Sequence, residues 1–137
     1  MAPMDPDSTI AALRKALEAS PDNHTLRRHL AETLLGFGRH VEAEAEFKQV
    51  LQENADDENA LLGLARSFRS QGKNSPAHVV LEQLIAAGVL RARVERAWLL
   101  LAEGDVPAAV RDYKAALYDD PSLRDRELGE RLGVSAA

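Results

Sequence analysis

The sequence predicts an all-α protein assembled from repeated helical hairpins, and three observations carry that expectation. Apolar residues recur at helical rather than alternating spacing. The pattern comes back at a nearly constant interval. Aromatic residues are only 4% of the chain, which leaves the core to Leu, Ala and Val. That composition suits close-packed helices better than sheets, which favour β-branched and aromatic side chains. Residues 58–85 show the unit. Leu61, Leu64, Ala65 and Phe68 form one apolar run, Gly72 breaks it, and Ala77, Leu81, Leu84 and Ile85 form another. Subtracting 34 from Leu64, Ala65, Gly72, Ala77 and Leu81 gives Leu30, Ala31, Gly38, Ala43 and Phe47. A hairpin copied at this period cannot bury its apolar face alone and is expected to stack on its neighbours.

In chain order, residues 1–6 are expected as a disordered tail. Asp7 or Ser8 can cap a lone helix over residues 8–19, with Ile10, Leu13, Ala16 and Leu17 on one face. Ser20-Pro21-Asp22-Asn23 is turn chemistry, and Asn23 is a good cap for a helix over 24–36 that buries Leu26, Leu30, Ala31 and Leu34. After Gly38, residues 40–53 present Ala43, Phe47, Val50 and Leu51; residues 54–57 are a polar break. The second helix of the next hairpin starts with Ser75 as cap and Pro76 in the first turn, and Gly88 is placed to stop it in a left-handed conformation. Helices over 90–103 and 106–118 follow, the latter with Ala109, Val110, Tyr113, Ala116 and Leu117 inward. A last helix over 123–132 is signalled by Ser122 and Asp125, spaced like a capping box, and by Gly133 at its end. Residues 134–137 are expected to fray. The steps from Gly72 to Gly104, Ala77 to Ala109 and Leu81 to Tyr113 are 32, so two residues are lost, and the connection around Gly88 is the expected place.

The 137 residues make one domain's worth of chain, with a single domain expected over 7–133. The net charge of -5 argues against a general affinity for nucleic acid. With no Cys there is no disulfide framework, thiol nucleophile or Cys-based zinc site. Neither a secretory signal nor a run near the roughly 20 apolar residues of a membrane span is present. A cytoplasmic protein is expected.

These residues resemble the tetratricopeptide repeat. Three full units match, over 24–57, 58–89 and 90–123. The small residue of each first helix is Ala31, Ala65 or Ala97, followed by Leu34, Phe68 or Leu100. Gly38, Gly72 and Gly104 precede the second helices, whose small residues are Ala43, Ala77 and Ala109, with Phe47, Leu81 and Tyr113 four later. Pro21 and Pro121 stand as closing prolines, while the first two full units end in Ala55 and Val89 instead. Residues 8–19 match a lone second helix and 123–132 a lone first helix. Arg93 and Arg96 depart from the family, which has large apolar residues there. The resemblance implies a right-handed superhelical stack, an α-solenoid of about eight helices, with first helices lining a concave groove.

Little in the sequence points to catalysis. His24, His29, His40 and His78 lack metal-ligand spacing, and half-buried structural histidines are the simpler reading. Gly36-Phe37-Gly38 is a hairpin turn without the Gly-Lys-Ser/Thr of a phosphate loop. Glu42 and Glu46 fit a solvated helix face better than an acid/base pair. No enzyme, metal or cofactor is expected.

Carrying the resemblance over residue by residue, the groove is lined by Thr25, Arg28 and Glu32; by Asn59, Leu62, Arg66 and Arg69; and by Arg91, Val94, Glu95 and Trp98, with Leu128 from the last helix. Arginines interleaved with apolar side chains would suit a peptide with acidic and apolar residues, since Arg offers carboxylates a rigid donor fork. The alternative is that these arginines are a solvated face and Trp98 packs on a neighbouring hairpin. A chaperone-type carboxylate clamp is not expected, because Glu32 and Glu95 accompany Arg28 and Arg91, and Gly63 offers no side-chain donor. The leading expectation is a non-enzymatic scaffold binding a protein or peptide. Two others stand beside it: a front domain of a larger protein, like the helical repeats that precede AAA-type ATPase modules in some bacterial proteins, and self-association by end stacking.

Overall fold

Short polar side chains set where most of these helices begin. In a computed structural model that describes residues 5–134, the order is α1 (Pro6–Ala19), α2 (His24–Gly36), α3 (His40–Glu53), α4 (Glu58–Ser70), α5 (Asn74–Ala86), α6 (Arg91–Ala102), α7 (Val106–Asp119), a single 3₁₀ turn (Pro121–Leu123) and α8 (Arg126–Leu132). The described residues contain no strand. The fold is all-α, of the helical-repeat solenoid class. Asn23, Asp57 and Asp125 each accept the backbone N–H three residues on, and so cap α2, α4 and α8.

Four boundaries differ from expectation. Asp5, rather than Asp7 or Ser8, caps α1, taking the Ser8 amide at 2.8 Å, and Pro6 fills the first helical position, where no N–H is needed. Of the tail expected over residues 1–6, Asp5 and Pro6 instead begin α1, and residues 1–4 lie outside the described residues. Helix α5 already begins at Asn74, so Ser75 sits within the first turn beside Pro76 and is not the cap. The last helix starts at Arg126 instead of 123. Asp120 takes both the amide of Ser122 (3.0 Å) and its hydroxyl (2.6 Å), which occupies Ser122 in the 3₁₀ turn and leaves the capping to Asp125. Val134 is held, its amide donating to Gly129 at 2.8 Å; the rest of the expected frayed end, 135–137, lies outside the described residues.

The hairpin turns share one device. At Gly72 the backbone takes φ +74°, its amide donates to Arg69 and the next amide to Phe68, at 3.0 and 2.9 Å. This closes a helix end through a left-handed residue, which glycine adopts without strain. The same pair of bonds recurs around Gly38, Gly88, Gly104 and Gly133. The two-residue contraction is not a shorter connection. Residues 87–90 match 54–57 in number, while α5 has 13 residues against 14 in α3, and α6 has 12 against 13 in α4. Helix α6 is also entered without a side-chain cap: Leu90 is already helical, and Ala92 and Arg93 bond back to Val89 and Leu90.

The chain divides into two compact units, residues 1–73 and 74–137. In the first, α2 packs on α3, α3 on α4, and α1 on α2. Leu30, Ala31, Leu34, Ala43, Phe47 and Val50 are fully buried. Of the face expected on α1, Ile10 and Leu17 are buried, Leu13 is half-buried and Ala16 exposed. Leu13 and Ala16 correspond to Phe47 and Val50, and no described first helix stands in front of α1 to cover them. Glu44 ties α3 to the end of α4, accepting from Lys48 (2.7 Å), Gln71 (2.9 Å) and Lys73 (3.0 Å). In the second unit α6 packs between α5 and α7, and α8 closes the end. Val94, Ala97, Ala109, Tyr113, Ala116, Leu128 and Leu132 form its core, and the Tyr113 hydroxyl both donates to and accepts from the backbone of Asp125, at 3.0 Å each way.

Two outcomes follow from this packing. The Phe47 ring lies so close to Gly63 that any Cβ there would overlap it, so Gly63→Ala should lower unfolding stability by about 1–3 kcal/mol in urea titrations. Unchanged stability would mean that the two helices separate freely. The bonds from Lys48, and then those from Lys73 and Gln71, hold the Glu44 carboxyl well below its ordinary 4.5, at about 2. Its contribution is therefore present above about pH 4.5 and lost as pH falls through about 2. Glu44→Gln should destabilise the protein near neutral pH and make its acid limb shallower over that window, as followed by circular dichroism.

Candidate functional site

The candidate surfaces lie on first helices, and those of each unit are described by themselves. In the first unit α2 and α4 lie against each other. Arg28 projects from α2 and gives Nη1 to Asp57 at 2.9 Å, with Glu32 one turn on at 3.7 Å. Asp57 is thus both the cap of α4 and the counter-ion of Arg28, so Arg28 fastens α2 to the start of α4. On α4, Asn59 and Arg66 are exposed and Arg69 is half-buried. Their spacings of seven and three residues put them along one side of the helix. Thr25 and Glu32 are exposed on α2.

In the second unit Arg91, Val94, Glu95 and Trp98 are spaced along α6 in the same way. Arg91 is exposed and Trp98 half-buried. The indole N–H of Trp98 donates to Asp125 at 2.8 Å, and the Arg131 guanidinium lies over the ring, 5.6 Å from its centroid. Neither Asp125 nor Arg131 stood out in the sequence as part of this face. The contacts run between α6 and α8, and no linear spacing signals them.

The apolar residues expected between the arginines do not line a surface. Leu62 is 3% exposed and Leu128 0%, and Val94 is buried with Leu128 in the core of the second unit. Glu95, expected to face a ligand, is 8% exposed. Large apolar side chains on this side of a first helix are drawn into the packing, and the longer charged ones remain at the surface.

Arg93 and Arg96, which occupy large apolar positions, turn to α7. Arg96 makes two bonds with Asp112, at 2.5 and 2.6 Å, and Arg93 stands 3.6 Å from the same carboxylate. Those bonds hold the guanidinium of Arg96 above its ordinary pKa. Arg27 and Glu46, the counterparts of Arg93 and Asp112 in the first full hairpin, form a bond of 3.0 Å. The middle hairpin has Leu61 and Val80 at these positions. Two of the three hairpins thus carry charged side chains where the middle one has apolar residues. Beside Arg96 opens a shallow polar cleft of about 290 Å³ between α5 and α7, bordered by His78, Glu82 and Arg111 and floored by Leu100.

Two of the four histidines make side-chain pairs, His24 with Glu53 at 2.8 Å and His78 with Glu103 at 2.7 Å, while His29 is exposed and His40 Nδ1 is buried without a hydrogen-bond partner. Among the described residues no group of three or more His, Cys, Asp or Glu side chains could hold a metal ion. None of the described helices is long and apolar enough to cross a membrane.

A sequence profile described as tetratricopeptide repeat matches residues 2–49 and 34–99, most of the chain. The chain is also similar to the cellulose synthase operon protein C of Komagataeibacter xylinus, 34% identical over 102 residues. That alignment takes in 62% of this chain and 8% of that much longer protein.

The buried ion pair gives a direct test of the hairpin packing. Asp112→Ala, which leaves two arginines without their counter-ion, should cost about 1–3 kcal/mol in chemical denaturation. Combining Asp112→Val with Arg96→Leu, which reproduces Val80 and Leu64 of the middle hairpin, should recover most of that loss. A double variant no more stable than the single one would contradict this account.

Proposed function

Because the chain belongs to the tetratricopeptide repeat family, whose repeats generally mediate protein–protein interaction, we propose that it is a non-enzymatic scaffold binding a peptide or protein segment through the outward side of a first helix. The observation that carries this reading is the composition of the α4 face. Asn59, Arg66 and Arg69 stand at its surface over a row of buried apolar residues, Leu61, Leu62, Leu64 and Ala65. Arginine side chains held on a packed helix offer a donor fork that suits carboxylates and backbone carbonyls. Arg28 contributes by fixing α2 on α4 through Asp57. Leu62 is buried and supports the α4 face from below.

A second reading keeps this binding face and sets it in a larger protein. It is supported by the cellulose synthase operon protein C, in which a stretch like this chain is a small fraction of the whole. Stacking of one copy on another through α8 is less favoured. The outer side of α8 is charged and self-paired, with Arg126 on Glu130 at 3.3 Å and Arg131 on Glu127 at 3.0 Å, so docking there would desolvate both pairs.

The test is a pull-down from the source cell's lysate with wild type and with an Arg66→Glu, Arg69→Glu double variant, both checked for helicity. Loss of the partners retained by wild type is the expected result. Equal recovery by both proteins would remove α4 from the binding face.

A further inference from the structure

In the first unit one arginine ties two second helices together. Arg14 crosses from α1 to α3, giving Nη2 to Glu42 at 3.0 Å with Glu46 at 3.8 Å. Glu46 also takes Arg27 of α2, at 3.0 Å. Between α5 and α7 of the second unit the corresponding places hold Glu82 for Arg14, Ala108 for Glu42 and Asp112 for Glu46. Asp112 is held by Arg96 and Arg93 of α6, as Glu46 is by Arg27. Among the described residues no α5 side chain bonds to it, because an acid stands where the crossing arginine would be. What remains is the cleft of about 290 Å³ beside Arg96.

The charges around this cleft are not all satisfied. Arg93 and Arg96 are spent on Asp112, and His78 is paired with Glu103 at 2.7 Å. Glu82 on the α5 wall and Arg111 on the α7 wall are exposed, and among the described residues neither takes part in a hydrogen bond or ion pair. The charge of Glu82 is felt inside the cleft: after Asp112, it helps to hold Arg96 above its ordinary pKa. The floor, Leu100, is apolar and half-buried.

We infer that this cleft receives the arginine of a partner's peptide segment, its stem over Leu100 and its guanidinium on Glu82, while a carboxylate of the same segment bonds Arg111. The incoming arginine supplies from outside what Arg14 supplies within the first unit. Arginine suits the place because its stem covers an apolar floor while its planar fork meets a carboxylate with two bonds. The two walls together set the specificity. A purely basic segment meets the charge of Arg111, and a purely acidic one that of Glu82. At about 290 Å³ the cleft falls at the small end of ligand sites, roughly 300–1,000 Å³, which fits one long side chain rather than a packed helix. The site is carried by second helices, and it holds or fails independently of the α4 face.

The probe is a hexapeptide of alternating Arg and Glu with blocked ends, titrated into isotope-labelled protein while the amide shifts are followed by NMR. In one control peptide Gln replaces every Arg, and in another it replaces every Glu. The Arg–Glu peptide should shift the amides of α5 and α7 that border the cleft, and each control should bind about three- to fivefold more weakly. Glu82→Arg, which installs the crossing arginine of the first unit, should abolish the shifts. Arg111→Gln should weaken the Arg–Glu peptide about threefold and cancel its advantage over the peptide lacking Glu. The Arg66→Glu, Arg69→Glu variant should give the wild-type shifts, which separates this site from the α4 face. Wild-type protein whose cleft amides do not respond to millimolar peptide overturns the proposal. So does a Glu82→Arg variant that responds like wild type, or a control peptide without Arg that binds equally well.

Discussion

The contact between the Phe47 ring and Gly63 is the constraint on which the first unit depends. Helices bury their apolar stripes only if their backbones approach, and a large side chain needs a small one opposite to allow it. Phe47 and Gly63 meet that condition between α3 and α4. The fully or nearly fully buried alanines at positions 31, 43, 65, 77, 97 and 109 recur at the matching places of every hairpin. In the second unit Tyr113 occupies the place of Phe47, and its ring is likewise buried. There the hydroxyl adds a polar connection that Phe47 lacks, bracketing the backbone of Asp125 and so fixing where α8 begins.

The repeat frame was legible because its signals are local. A glycine after an apolar run, or an Asn or Asp just before the next one, acts within a single turn of backbone. The chain honours those signals at Gly38, Gly72 and Gly104, and at Asn23. The misplaced boundaries have equally local causes. Asp5 and Asp120 outcompete neighbours that could have capped, and the choice between adjacent hydroxyl and carboxylate groups depends on geometry that no spacing rule contains.

The candidate face was less legible because it depends on contacts between helices. Position along a first helix identified Arg66 and Arg69 as outward, but the same frame put Leu62, Val94 and Leu128 beside them, where burial governs instead. Arg93 and Arg96 looked like departures from the pattern. Asp112, one helix further on, makes them part of the packing, much as Glu46 does for Arg27. Arg131 and Asp125 acquire their roles around Trp98 only through the folding back of α8. What the sequence left hidden is thus mostly pairing between charged side chains, which leaves no periodic trace.

The glycine-closed turns have a kinetic side. Each joins two helices through a few residues, and within each unit the helices touch chiefly those next to them in the chain. Chains dominated by such short-range contacts lose little loop entropy before native contacts form, and they fold on the order of microseconds to milliseconds. In repeat architectures any hairpin can serve as the nucleus, with structure spreading to its neighbours. For this chain the hairpins α2–α3 and α6–α7, each with its own buried alanines and interhelical ion pair, are suited to start that process independently.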